Sequence, residues 1–261
     1  MMKFSEMPYS RPSVADVRAA ADRCREWIQN ASCAQEQIAA YDEFEKISRS
    51  AQTMMTIAYI RHTVDTRDEF YDAENEFADE AGPQLREIGQ QIDLAMLHSK
   101  FRPELEKHYG KLLFTNLEIS VRAFSPEIME LMQEENRLAS QYQKLYASAM
   151  VEFDGQTMPL PKLGPYLLSP DRSVRRRAME ARAKLLDAHR EELDDLYGKL
   201  VRCRNAQGRK LGHKNYIQLG YDRLGRNCYG PEDVRAFRDQ IANDMTPIVA
   251  QIKKDQVTRI G

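Results

Sequence analysis

No stretch of this 261-residue chain approaches the roughly 18 consecutive apolar positions that a membrane span needs. Met1–Ser10 also lacks the basic start and apolar run of a secretory signal, so the expected location is the cytoplasm, with no membrane partner. Neither charge sign is in excess. The 38 Lys and Arg face 40 Asp and Glu, for a formal net charge of -2, which argues against a basic nucleic-acid binder. Cys24, Cys33, Cys203 and Cys228 are too few and too far apart for a zinc ribbon, a C-x-x-C redox pair or a small disulfide framework. They read as reduced thiols acting as small hydrophobes. What remains, 42% hydrophobic and 30% charged, is the composition of a globular protein long enough to bury its own core.

Glycine is nearly missing from the first 150 residues, where only Gly82, Gly89 and Gly110 occur. Long helices should therefore dominate that half. Ser13, with Asp16 three residues on, announces the first of them, followed by Val14, Val17, Ala21, Cys24 and Ile28 at helical spacing. Tyr41, Phe44, Ser48, Ala51, Met55, Ala58 and His62 step by alternating threes and fours, forming one narrow stripe that requires a partner helix. Phe70, Phe77, Ala81, Ile88 and Ile92 offer that partner, through a Gly82-Pro83 pair expected to kink or restart the helix. Ser125-Pro126-Glu127 signals a further start, continued by Ile128, Leu131, Leu138, Tyr142, Leu145 and Ala149.

The pattern changes at Phe153-Asp154-Gly155-Gln156. Asp-Gly suits the positive φ values of a two-residue turn, so a hairpin of Ala149–Phe153 with Gln156–Leu160 is expected. Pro159, Pro161, Gly164 and Pro165 mark a tight connection, and Ser169-Pro170-Asp171 repeats the cap, proline and acid signal. Val174, Ala178, Ala181 and Leu185, then Leu193, Leu196, Leu200 and Cys203, extend an apolar face. Gly208, Gly212, Gly220, Gly225 and Gly230 should break the next stretch into short pieces until Pro231-Glu232-Asp233 starts a last helix carrying Val234, Phe237, Ile241, Met245 and Ile248. The expected fold is mainly α, with long antiparallel helices and one short β-hairpin near 149–160. The expected regions are 1–110 (long helices), 111–168 (helix, hairpin and Pro-rich connection) and 169–261 (a further helical region).

No self-contained active site is visible. None of His62, His98, His108, His189 and His213 opens an H-E-x-x-H motif, and no Glu-x-x-His pair suggests a dimetal bundle. His189 with Glu192 has the reverse order, and Glu104 with His108 is spaced by four. Phosphate-binding glycine loops and a G-x-S-x-G elbow are missing as well. Catalytic residues and metal ligands are therefore assigned to none of these positions. Two charge blocks stand out: Asp65, Asp68, Glu69, Asp72, Glu74, Glu76, Asp79 and Glu80, and against them Arg172, Arg175, Arg176, Arg177, Arg182 and Lys184. The basic block has no interleaved aromatics to stack bases, so intramolecular pairing is the simpler expectation.

Ser169-Pro170-Asp171-Arg172-Ser173-Val174-Arg175, then Leu193-Asp194-Asp195-Leu196-Tyr197-Gly198-Lys199-Leu200-Val201 with Arg204, resembles the oligoendopeptidase F branch of the thimet-oligopeptidase-like zinc metallopeptidases. Leu211-Gly212-His213-Lys214-Asn215-Tyr216, Leu219-Gly220-Tyr221, Arg223, Arg226 and Pro231-Glu232-Asp233-Val234 with Phe237-Arg238 strengthen the likeness. More weakly, it extends upstream through Met150–Gly155 to Phe4, Pro8 and Tyr9. The resemblance implies a helical ellipsoid split by a channel, with zinc held at its floor by two histidines of H-E-x-x-H and a downstream glutamate. The sequence stops before any such motif, so the chain is expected to be the N-terminal part of the enzyme: one wall of a channel-type peptidase, inactive alone, with zinc only in the complete enzyme. Its expected partners are an oligopeptide substrate and the C-terminal half of the same protein. Tyr216, Tyr221, Arg223 and Arg226 are the candidate substrate-channel residues, since they combine flat apolar surface with fixed donors for a peptide carbonyl or carboxylate. The same residue types also serve as core packing paired with acids. A non-catalytic helical protein-interaction module is the alternative for the whole chain.

Overall fold

The computed structural model describes residues 3–260. Ser13 caps α1 (Val14–Asn30), its hydroxyl accepting from the Asp16 amide at 3.1 Å. The tight links to α2 (Ala34–Val64) and α3 (Glu69–Leu97) fold these three long helices back on one another. Val17, Ala21, Cys24 and Ile28 from α1 meet Ile38, Tyr41, Phe44 and Ala51 from α2 and Ile88, Ile92 and Met96 from α3. Leu105 of α4 (Arg102–Tyr109) and Phe114 and Leu117 of α5 (Lys111–Arg122) close the same core. The expected stripe on α2 is the buried one as far as His62, with Ser48 and Met55 half-buried at its edge. Its expected partner is α3, but Phe70 is an exception. It sits exposed in the first turn of α3, edge-on to Tyr9 and Tyr71 with ring centroids 6.0 and 5.0 Å away.

Pro83 does not restart α3, which runs unbroken through it. A proline leaves the carbonyl four residues earlier without its usual donor. Here the Asn136 carboxamide, from α6 (Met129–Ser148), donates to the Asp79 carbonyl at 2.9 Å, and Gln133 donates to the Glu80 carbonyl at 3.1 Å. The neighbouring helix thus repairs the defect. Asn136→Ala should cost about 1–2 kcal/mol in a urea titration, the usual penalty of orphaning a partly buried carbonyl.

Between α3 and α5, burial pushes the Asp93 carboxyl up to about 6, against the pull of the Ser120 hydroxyl and Arg86. A carboxyl raised on folding binds a proton that the unfolded chain has already released. Its contribution to stability is therefore full near pH 4 and is lost as pH rises towards 6. Asp93→Asn should leave stability at pH 4 nearly unchanged and raise it at pH 8, as paired denaturant titrations would show.

Beyond α6, Met150–Phe153 (β1) pairs antiparallel with Gln156–Pro159 (β2), Val151 opposite Met158 and Phe153 opposite Gln156. Asp154 at φ 51 and Gly155 at φ 76 make the expected tight turn. Val151, Phe153 and Met158 bury one face against Leu163 and Ala178, the latter on α8 (Arg172–Ala188), with the short α7 (Gly164–Leu167) alongside. Helix α8 starts later than the Ser169 signal suggests. Asp171 is its cap, accepting from the Ser173 amide at 2.7 Å, while the Ser169 hydroxyl turns to the Asp171 amide. The apolar face expected to run on from α8 is broken at His189, where α9 (Arg190–Lys210) begins and packs Leu196, Leu200 and Cys203 on Leu138 of α6.

The ion pairs described for the two charge blocks are local ones, in place of the expected mutual complementarity. Asp72 takes Lys144 at 2.5 Å and lies 3.1 Å from the buried His62 ring, Glu74 takes Arg11, and Asp68 caps α3. Arg176 and Arg177 take Glu180 and Asp154. The basic helix α8 packs on the hairpin, and no acid of the 65–80 block forms its ion pairs with Arg176 or Arg177.

Candidate substrate-channel wall

Four of the five glycines expected to fragment the stretch after α9 act differently from one another. Gly212 and Gly225, at φ 82 and 63, do end helices, whereas Gly208 and Gly220 lie inside α9 and α10 (Tyr216–Arg223). Their role there is close approach. A Cβ at Gly208 would sit 2.5 Å from the Asn215 carbonyl oxygen, and one at Gly220 would sit 3.1 Å from the Tyr216 ring. With α9 and α10 so near, Asn215 caps α10 by accepting from the Ile217 amide at 2.9 Å, and Asn205 of α9 accepts from the Tyr216 amide at 3.1 Å.

The four candidate residues fall into two clusters. In the first, Arg223 donates to Glu135 of α6 at 2.8 Å and also to the side-chain amide oxygen of Gln207. Glu135 further accepts from Arg204 at 2.6 Å and from Gln207 at 2.9 Å, and both arginines lie 5.8 Å from the Tyr216 ring centroid. Burial alone would raise the Glu135 carboxyl, but its donors, led by Arg204 and Gln207, outweigh this and hold it below the usual glutamate value. Arg223 therefore pairs with an acid, as the packing alternative requires, though the acid is Glu135 and not one of the 65–80 block. In the second cluster the Arg226 guanidinium stacks 4.3 Å over Tyr221 and 5.6 Å from Tyr229, with no ion pair among the described residues. The loop bearing Arg226 is tied to α5 by Asn227, which donates to Asn116 at 2.9 Å. Asp222, next to Tyr221 in the chain, is buried and paired with Arg122 at 2.9 Å, while its Oδ2 has no partner. The first cluster is a locked joint between α6, α9 and α10; the second presents an unpaired cation on an aromatic base.

The residues that sequence reasoning missed are Glu135, Gln207, Asn205 and Asp222. Two left a signal. Ile128, Leu131, Leu138, Tyr142, Leu145 and Ala149 follow the 3,4 pattern with one gap, and the gap is Glu135. Gln207 likewise continues the Leu196, Leu200, Cys203 face. A polar side chain on an apolar stripe is buried with its partners.

Among the described residues no group of three or more His, Cys, Asp or Glu side chains could hold a metal ion, and no helix is long and apolar enough to cross a membrane. Residues 4–124 match the family model of the peptidase M3 N-terminal domain. Over those residues the chain is similar to a peptidase M3 N-terminal domain. No curated protein matches it significantly. Among solved structures, PZ peptidase A with an inhibitor superposes with a TM-score of 0.97 at 42% identity, over 99% of this chain and 46% of that one. A Bacillus anthracis protein described as an oligoendopeptidase F gives 0.96 at 37% identity, over 100% of this chain and 48% of that one. Oligoendopeptidase F from Enterococcus faecium shares the fold alone, at a TM-score of 0.53 and 13% identity. The chain thus spans about half the length of these two solved structures.

Proposed function

We propose that the complete protein is a cytoplasmic, zinc-dependent oligoendopeptidase that hydrolyses short peptides by metal-activated water. In this reading the present chain is one wall of the peptide channel, catalytically inactive alone. The observation that carries it is the superposition on two peptidases at 37–42% identity over essentially all of this chain. In this reading the metal and its ligands would lie in the remainder of the protein. The long-helix region 1–110, the connecting region 111–168 and the helical start of the peptidase domain at 169–261 would be its successive parts.

The last helices support a missing partner. Helix α11 (Pro231–Gln240) passes into α12 (Thr246–Ile260) through a π-turn at Ile241–Met245, next to Pro247, which cannot donate. Phe237, Ile241, Met245, Ile248 and Ile252 lie exposed along this helix, Phe237 at 62%. A contiguous apolar face of this kind marks an interface, here for the C-terminal half. Read as a stand-alone interaction module instead, the chain would use the same face to oligomerise.

Of the four candidates, Arg226 with Tyr221 would hold a peptide carbonyl or carboxylate, a reading supported by a guanidinium that has no ion pair among the described residues. Arg223 with Tyr216 would set the wall's shape. The deciding measurement is oligopeptide hydrolysis by the complete protein, with and without a chelator, alongside zinc analysis of both forms. Chelator-sensitive cleavage by the complete protein, with neither zinc nor cleavage in residues 1–261, is the expected result. Cleavage that ignores chelators would overturn the metal assignment. In the active protein Arg226→Ala should raise KM for short peptides roughly tenfold with kcat little changed, the signature of lost uniform binding.

A further inference from the structure

Helix α10 ends in a glycine cap that sets where Arg226 lies. Gly225 turns the chain left-handed at φ 63, its amide donates to the Asp222 carbonyl at 2.9 Å, and the Arg226 amide donates to the Tyr221 carbonyl at 3.1 Å. This pair of bonds closes many helices, and it lays the residue after the glycine against the residue three places before the cap. That contact is commonly apolar. Here it is the Arg226 guanidinium stacked 4.3 Å over the Tyr221 ring, with Tyr229 edge-on to Tyr221 at 6.4 Å.

The cap is itself clamped on both sides to one helix. Before it, Asp222 is buried, and its Oδ1 accepts from Arg122 in the last turn of α5 at 2.9 Å and from Gln218 one turn earlier in α10 at 3.1 Å. After it, Asn227 donates to Asn116 of the same α5 at 2.9 Å. Glu118, the other acid near Arg122, is held by Arg102 at 2.7 Å, which leaves Asp222 as the partner of Arg122. Without Arg122 the Asp222 carboxylate would be a buried charge with a single neutral donor, and such a charge relaxes towards water. Its backbone carbonyl, which holds the Gly225 amide, would move with it, and the stack over Tyr221 would open.

We infer that Arg122 and Asp222 are positioning residues for the Arg226–Tyr221 stack: their ion pair fixes the cap, and the cap fixes the guanidinium that meets the peptide. The role rests on the reading of Arg226 as a peptide contact and adds that this contact is set from α5. Neither residue of the pair touches the peptide. Their effect is preorganisation, since a guanidinium already held in one orientation loses little freedom on binding.

The test is made in the complete protein with a short internally quenched peptide as substrate. Arg122→Ala should raise KM about fivefold with kcat little changed, and Arg122→Lys should restore most of the loss. Added to Arg226→Ala it should raise KM by less than about twofold more, because nothing is left to position. Amide exchange across residues 224–227 should quicken in Arg122→Ala, a readout that needs no peptidase activity. Arg226→Ala by itself decides the underlying reading, and a KM that it leaves unchanged would sink both. Where Arg226→Ala does raise KM, the positioning role alone is overturned by an unchanged KM in Arg122→Ala, by additive effects in the double variant, or by unaltered exchange across the cap. The Arg122 side chain is 54% exposed, so its truncation opens no cavity and does not threaten folding.

Discussion

Gly208→Ala should unfold at a markedly lower urea concentration than the parent chain, with a loss of about 3 kcal/mol or more, the upper end of the range for forcing atoms into packed space. The added Cβ would lie 2.5 Å from the Asn215 carbonyl oxygen and 2.8 Å from its carbonyl carbon. Both are backbone atoms, so no side chain can swing aside, and relief requires α9 and the start of α10 to separate. Separation would stretch the hydrogen bond from the Tyr216 amide to Asn205 and the contact between Arg223 and Gln207. Gly212→Ala makes the control. That residue has open space around its Cβ position and pays only for a left-handed φ of 82, a cost of about 1 kcal/mol. If the two variants prove equally stable, the close approach of α9 and α10 is wrong.

Glu135→Leu should cost about 3 kcal/mol at pH 7, because removing one member of a buried ionic cluster strands the others. Arg223 is the main loser, since its side chain is only 19% exposed, whereas Arg204 at 40% can turn to water. Glu135→Gln keeps the shape and should lose less. The pH dependence follows from the lowered carboxyl value. A depressed carboxylate adds stability that is complete above its unfolded value, near 4.5, and that fades as pH falls through the folded one. The gap between parent and Glu135→Leu should therefore narrow on acidification from pH 6 to pH 3.5. A gap constant across that range would mean that Glu135 contributes through packing and not through charge. Faster amide exchange in α10 should accompany the substitution, since Arg223 is the side chain that anchors that helix to α6.

Those two residues also show where reading the sequence ran out. Repeating patterns with a strong physical cause were legible: the seven-residue stripe of α2, the Ser13 cap, and the Asp154-Gly155 turn with its flanking strands each occur where expected. What failed were several inferences that depend on segments distant in the chain. Pro83 looked like a break because its repair by Asn136 comes from a helix far along the chain. Gly208 and Gly220 looked like punctuation because only the packed structure reveals the Asn215 backbone and Tyr216 ring beside them. The charge blocks looked complementary because net sign is visible in a sequence and distance is not. Of the candidate wall, Tyr216, Tyr221, Arg223 and Arg226 do gather in and just after one short helix, but their division into a locked joint and an open stack depends on Glu135. That acid hid in an apolar pattern as its one missing member.

The repair at Pro83 has a consequence for how the molecule is made. During synthesis α3 leaves the ribosome well before Asn136 does, so until α6 arrives water must take the place of that carboxamide at the Asp79 carbonyl. Docking of α6 then exchanges that water for a fixed donor, so the middle of the long rod becomes fully bonded within the protein only once the later helix is in place.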